Sequence, residues 1–170
     1  EEIEDMLDAK NPTGAPYAKS GEVRLRITAK AETADEADRM CAPVVEKICS
    51  RLGDVVYGTD MNSIEERVVA LLKEKGKKIA TAESCTAGYI PKRLTDIPGA
   101  SEVFECGIVS YSNDIKTKLL GVSPKTLETY GAVSEQTARE MALGAKRVSG
   151  ADIAISTTGL AGPGGDGVLP

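Results

Sequence analysis

Lys78-Ile79-Ala80-Thr81-Ala82-Glu83-Ser84-Cys85-Thr86-Ala87-Gly88 is the stretch on which the fold turns. Lys78 to Ala82 reads as a buried strand, and a helix reads from near Thr86 to Asp96, with Pro91 in its first turns. The pattern is strand, tight turn, helix. It recurs downstream: a strand from Phe104 to Tyr111, a helix from about Asn113 to Leu120, and a short helix opened by Ser123-Pro124. Ser134 then caps a longer helix to about Val148, and Asp152 to Thr157 is a further strand. Strands alternating with helices of this length imply an α/β layered domain with a largely parallel sheet. Upstream of it, Gly76 stops a helix whose capping box is Ser63-x-x-Glu66 and whose expected buried face is Ile64, Val68, Leu71 and Leu72.

The first 60 residues read differently. Asn11-Pro12-Thr13-Gly14-Ala15-Pro16 opposes regular structure and is expected to be a loop after a short acidic helix. Glu22 to Ala29 alternates apolar and polar, with Val23, Leu25 and Ile27 on one face, as in a half-buried strand. A helix from about Thr33 to Arg51 follows, capped by Thr33 or Asp35, with Pro43 inside it and Gly53 ending it. Val55-Val56-Tyr57 would add a second short strand and complete a small β-α-β unit. Thr59 to Asn62 is the expected joint, giving domains 1–60 and 61–170. With no initiator Met, the chain reads as beginning within a longer protein.

Composition narrows the function. No apolar run approaches the length of a membrane span and the first residues are acidic rather than basic, so the expectation is a soluble, cytoplasmic protein. The net charge is −5; residues 1–60 hold 8 basic and 13 acidic side chains and residues 61–170 hold 13 of each. An acidic part followed by a neutral one lacks the footprint of nucleic-acid binding. The cysteines Cys41, Cys49, Cys85 and Cys106 form no CxxC pair, and with no histidine in the chain a metal site is not expected. The missing histidine also removes the commonest general base. Hydrolysis here would have to use Lys, Tyr or a carboxylate.

Ligands of open α/β sheets bind beyond the carboxyl ends of the strands, which points to three loops. The first presents Ser84 before a helix whose free N–H groups, near Cys85 and Thr86, could hold an oxyanion, while Ala87 and Gly88 permit close approach. A serine there is also an ordinary N-cap, and taken alone the segment reads first as a cap. The second loop places Lys116 five residues beyond Tyr111, on the first turn of a helix. The helix dipole and partial burial would lower its pKa toward that of a useful base, making Ser84 and Lys116 a histidine-free dyad. The bland alternative is a solvated lysine beside a packed tyrosine. The third, Thr157 to Gly167, offers many backbone N–H groups suited to a phosphate, against the alternative of a plain flexible loop. Its Gly162 to Gly167 spells G-x-G-x-x-G, but Pro163 and the absence of a following helix rule out the dinucleotide fingerprint.

Four ordered segments, 81–88, 107–116, Gly131-Ala132-Val133-Ser134 and 158–165, together resemble the CinA family of competence/damage-inducible proteins. Asn11-Pro12-Thr13 and Ala15-Pro16-Tyr17-Ala18-Lys19, with Gly21-Glu22-Val23, are similar to the family's KH-like middle domain. The resemblance implies a three-layer α/β/α CinA C-terminal-like domain, preceded by a small α+β KH-like domain. It also implies an activity: nicotinamide-nucleotide amidase, which hydrolyses nicotinamide mononucleotide to nicotinate mononucleotide and ammonia in pyridine-nucleotide salvage, with neither metal nor organic cofactor. Carried over, Ser84 would be the nucleophile, Lys116 its base and Tyr111 a proton relay or positioning group. Cys85, Thr86 and Gly88, with Thr158, Gly159, Gly162 and Gly164, would bind the substrate. The implied partner is a pyridine nucleotide rather than nucleic acid or membrane, and a homo-oligomer stays open. The KH-like label does not carry RNA binding, because the first 60 residues hold no G-x-x-G clamp between helices. Departures are Ala87 where the family has glycine, a methyl that a helical residue would accommodate, and two missing parts. Family members begin with a MoaB-like nucleotide-binding domain, associated with ADP-ribose hydrolysis, and continue past the Gly-rich loop. The alternatives to the amidase are a non-catalytic interaction module and an inactive piece of that enzyme.

Overall fold

Alternation of side chains across a strand decides the smaller unit. The computed structural model describes residues 3–19 and 21–162, and the chain divides into compact units Glu1–Ile64 and Glu65–Pro170. In the first, helix α1 (Glu4–Leu7) precedes strands β1 (Thr13–Lys19) and β2 (Glu22–Thr28), which pair antiparallel with Thr13 opposite Thr28 and Lys19 opposite Glu22. Helix α2 (Ala34–Leu52) follows, its N-terminus capped by the Thr33 hydroxyl, which accepts from the Glu36 N–H at 3.2 Å.

Two expectations fail here. The Pro- and Gly-rich segment expected to be a loop forms most of β1, because β1 pairs on one side only among the described strands, and an edge strand tolerates proline. Packing rather than a turn favours Gly14 there: a Cβ would stand 2.5 Å from Leu7 Cδ2 and 3.1 Å from the Leu7 Cα of α1. Nor do residues 55–57 form a strand. Gly53–Val55 is a 3-10 turn, and Tyr57 is tied to the Glu22 carboxylate of β2 through its hydroxyl instead of through a ladder. The unit is therefore α-β-β-α, and of the expected apolar face Leu25 and Ile27 are half-buried while Val23 is exposed.

In the second unit helix α3 (Ile64–Glu74) leads to β3 (Ile79–Glu83), α4 (Tyr89–Thr95), β4 (Phe104–Val109), α5 (Asn113–Leu120), α6 (Pro124–Tyr130), α7 (Glu135–Ser149) and β5 (Ile153–Thr157). The sheet is parallel with order β4-β3-β5. Successive residues of β3 serve opposite cores. Ala80 and Ala82 pack with Leu120, Val122, Met141 and Ala145, whereas Ile79 packs against Val69, Leu72, Leu94 and Val103. Helices thus cover both faces, in the three-layer arrangement expected. The face of α3 is rotated from expectation: Val69 and Leu72 are buried and Ile64 is exposed. Glu65 also points inward, buried and ion-paired with Arg93 of α4.

Alanines on β3 bring the helical layer close, and glycine permits the closest contact within that layer. A Cβ on Gly144 of α7 would lie 2.1 Å from the Leu120 carbonyl oxygen of α5. Alanine in a helix interior gains about 1 kcal/mol over glycine, but forcing backbone apart costs more, about 2–3 kcal/mol. Gly144→Ala is therefore expected to lower the thermal unfolding midpoint followed by circular dichroism; an unchanged or higher midpoint would show that α5 and α7 can separate freely.

Candidate active site

Parallel strands bring three loops to one edge of the sheet, and the backbone locks the first of them in place. Beyond the end of β3, the Ser84 N–H donates to the Thr157 carbonyl at 2.9 Å, while the Ser110 N–H donates to the Glu83 carbonyl at 2.7 Å. Ser84 is therefore held between both neighbouring strands and is 7% exposed. The turn after it is not helical. Ala87 and Gly88 have φ of 50° and 94°, so the expected helical Ala87 is left-handed, and α4 starts at Tyr89 instead of near Thr86. The Ala87 N–H closes the turn on the Ser84 carbonyl at 3.1 Å. The N–H groups of Cys85 and Thr86 donate to no described residue.

Lys116 completes the centre. The Ser112 hydroxyl accepts from the Ile115 N–H and caps α5, which fixes Lys116 on its first turn. Its side chain is 1% exposed, and Nζ lies 3.0 Å from Ser84 Oγ, 2.9 Å from the Ser110 carbonyl and 3.0 Å from the Tyr111 carbonyl. No ion pair between described residues includes it. Burial pushes its pKa below the ordinary 10.5, and the neighbouring Cys85 opposes this in smaller measure. As an ammonium, Lys116 donates to all three oxygens. As a neutral amine it donates to the two carbonyls, and its lone pair is left for the Ser84 hydroxyl, which then donates to it.

The other expected site residues divide. The Tyr111 side chain is 74% exposed, and it is the residue's carbonyl, not its phenol, that holds Lys116. The Gly88 N–H is already taken by the Glu83 carboxylate at 3.2 Å. Thr86 Oγ1 lies 2.6 Å from Thr157 Oγ1, which ties the turn to β5. Thr158 turns its hydroxyl away, donating to the Ala132 carbonyl at 2.7 Å, so the Gly131 to Ser134 segment anchors the third loop. Gly159 runs against Cys85, where a Cβ would stand 3.3 Å from Sγ, and Gly162 has open space around its Cα. Gly164 lies outside the described residues, as does most of the G-x-G-x-x-G stretch.

Two features escaped sequence reasoning. Glu83, 1% exposed, belongs to β3 and not to the loop. Ser110 supplies a carbonyl to Lys116, and its own hydroxyl is buried without a hydrogen-bond partner among the described residues. The signal for Glu83 was present: a carboxylate at the end of an otherwise uncharged buried run. A backbone carbonyl leaves no signal in residue type. Among the described residues no cluster of His, Cys, Asp or Glu is placed to hold a metal, and no helix is long and apolar enough to cross a membrane.

A lysine whose pKa is lowered by folding makes stability rise with pH between its folded value and the ordinary 10.5, because the unfolded chain binds more protons there. Measured by urea unfolding, the stability of the protein relative to Lys116→Met is expected to increase across that window. A constant or falling difference would mean that burial does not disfavour the ammonium.

Two family models divide the chain, the CinA C-terminal domain over residues 61–168 and the damage-inducible protein CinA KH domain over residues 1–58. A CinA-like protein of Desulfovibrio desulfuricans is 50% identical over 163 residues, 96% of this chain and 38% of its own length. Another, from Kosmotoga olearia, is 49% identical over 97% of this chain and 40% of its own. The chain thus spans about two fifths of these curated relatives. Among solved structures, a competence/damage inducible protein from Agrobacterium tumefaciens is 45% identical with a TM-score of 0.58, covering 64% of this chain and 68% of that one. A CinA superfamily protein from Klebsiella pneumoniae is 37% identical with a TM-score of 0.60, covering 62% and 67%. With a parallel α/β unit behind a KH unit and both family models matched in order, the chain belongs to the CinA family.

Proposed function

We propose that the unit carrying Ser84 hydrolyses a carboxamide, and that its substrate is nicotinamide mononucleotide. The observation that carries the reaction class is the 3.0 Å approach of a buried Lys116 Nζ to Ser84 Oγ. The substrate rests on the resemblance to nicotinamide-nucleotide amidases, with which this chain shares its motif order. The relatives' names speak of competence and damage induction, which leaves the chemistry to be argued from the site.

Lys116, as the amine, takes the proton of the Ser84 hydroxyl while Oγ attacks the carboxamide carbon. The carbonyl oxygen gains the negative charge, and the N–H groups of Cys85 and Thr86 are the nearest donors in sequence that the described residues leave unused. Lys116, now the ammonium, gives its proton to the departing nitrogen, and the C–N bond breaks to release ammonia. Water then attacks the Ser84 ester with Lys116 again as base, which regenerates Ser84 and releases nicotinate mononucleotide. The carbonyls of Ser110 and Tyr111 hold the amine in both protonation states, so it need not reorient between steps. Every proton moves through this chain's own groups, so the reading needs no cofactor. Gly159 and the loop beyond it, at the edge of the same turn, are offered as the binding side for the nucleotide.

The test is ammonia release from nicotinamide mononucleotide by the protein that carries this chain. Ser84→Ala and Lys116→Met are each expected to lower kcat by about 10⁴-fold or more while the fold persists. Full activity in a folded Ser84→Ala variant would overturn the reading.

A further inference from the structure

The Glu83 carboxylate is shut inside the protein with no cationic partner among the described ion pairs, a costly placement that stability alone does not favour. Its bonds say what it does. Oε2 accepts from the N–H groups of Gly88 and Ile90, each at 3.2 Å, and Oε1 accepts from the Thr81 hydroxyl at 3.4 Å. By alternation along β3 it lies on the face opposite Ala82, and hence opposite the core that contains Leu120 of the lysine-bearing helix. Glu83 therefore grips the far side of the same five-residue turn that presents Ser84.

We propose that Glu83 is a positioning residue of the active site, holding the turn 84–88 in the left-handed shape that keeps the Cys85 and Thr86 N–H groups free for the oxyanion. Ala87 at φ 50° is a conformation that an L-residue with a side chain resists, and something must hold it. Four donors follow Ser84 in order: Cys85 and Thr86, unused; Ala87, bonded to the Ser84 carbonyl; and Gly88, bonded to Glu83. Without the carboxylate, the Gly88 and Ile90 N–H groups lose their acceptor inside the protein, and the turn is free to wind into a first turn of α4. Winding would carry the Cys85 and Thr86 N–H groups away from the carbon that Ser84 attacks. Nearby crowding confirms that this region has little slack: a Cβ at Gly107 would stand 2.9 Å from Pro91 of α4 and 3.1 Å from Thr81 Oγ1.

This rests on the amide-hydrolase reading, and the experiment separates the two. Glu83→Ala, Glu83→Asp and Glu83→Gln are assayed beside Ser84→Ala for ammonia release from nicotinamide mononucleotide, with the folded fraction of each variant measured by circular dichroism. Donors to a developing oxyanion act in the transition state more than in the ground state. Glu83→Ala is therefore expected to lose about 10²–10³-fold in kcat with KM changed little. Glu83→Asp, whose carboxylate is drawn back by one methylene, should lose nearly as much. Glu83→Gln should recover most of the rate, because its amide oxygen can accept both N–H groups, and its pH–rate limb should coincide with that of the unaltered protein. Should Glu83→Ala fail to fold, the contrast between Asp and Gln decides. A normal kcat in folded Glu83→Ala or Glu83→Asp overturns the proposal, as does a Gln variant no better than Asp, which would make Glu83 a proton carrier. If Ser84→Ala itself retains the activity, the hydrolase reading fails first.

Discussion

Lys116 places an amine among three oxygens, the Ser84 hydroxyl and the carbonyls of Ser110 and Tyr111, inside a unit where its side chain is 1% exposed. Burying an ammonium without a carboxylate is unfavourable, and a lysine survives there by moving toward its neutral form. The rest of the site can be understood as the means of holding that amine. The Ser112 cap fixes where its helix begins. Gly144 lets α7 close against the Leu120 carbonyl at the end of that helix. The two carbonyls that accept its N–H bonds come from the residues just past β4, and that strand is registered to β3 by the bond from Ser110 N–H to the Glu83 carbonyl.

The central strand thus works on both faces. Toward α5 and α7, its small residues Ala80 and Ala82 admit the helix that carries Lys116. Toward α4, Glu83 binds the backbone of the turn that carries Ser84. Ser84 sits at the point where the two meet, clamped to β5 through the Thr157 carbonyl. The third loop is set by a different device, the Thr158 hydroxyl on the Ala132 carbonyl, which explains why the segment before α7 matters although it contributes no reactive group.

Much of this was legible in residue order. Periodicity marked each strand of the parallel sheet, and Thr33 and Ser134 cap their helices as their types suggest, whereas Ser84 and Lys116, which meet at 3.0 Å, read from their own segments first as a cap and a solvated lysine and were paired by the motif order. What the sequence concealed has physical causes. Residues 11–16 looked like a loop because proline and glycine are breakers in general, yet residues 13–16 enter an edge strand under a close helix that accommodates both. Residues 55–57 looked like a strand because they are β-branched and aromatic, but Gly53–Val55 turns as a 3-10 helix and among the described residues 55–57 join no ladder. Tyr111 drew attention by its phenol, whereas the contact it makes with Lys116 is through a carbonyl that any residue would supply. The left-handed Ala87 could not be read from its type, since alanine favours helix and only the grip of Glu83 on Gly88 and Ile90 reveals what opposes that preference.

The account stands on the protonation state of one nitrogen. Heteronuclear NMR of the Lys116 side chain across a pH titration observes it directly, with Lys116→Met identifying the resonance. A transition well below the ordinary lysine value of 10.5, sensitive to Ser84→Ala, is the result this account predicts. A transition at or above that value would mean that the buried nitrogen stays an ammonium under working conditions, and Lys116 could not then serve as the base for Ser84.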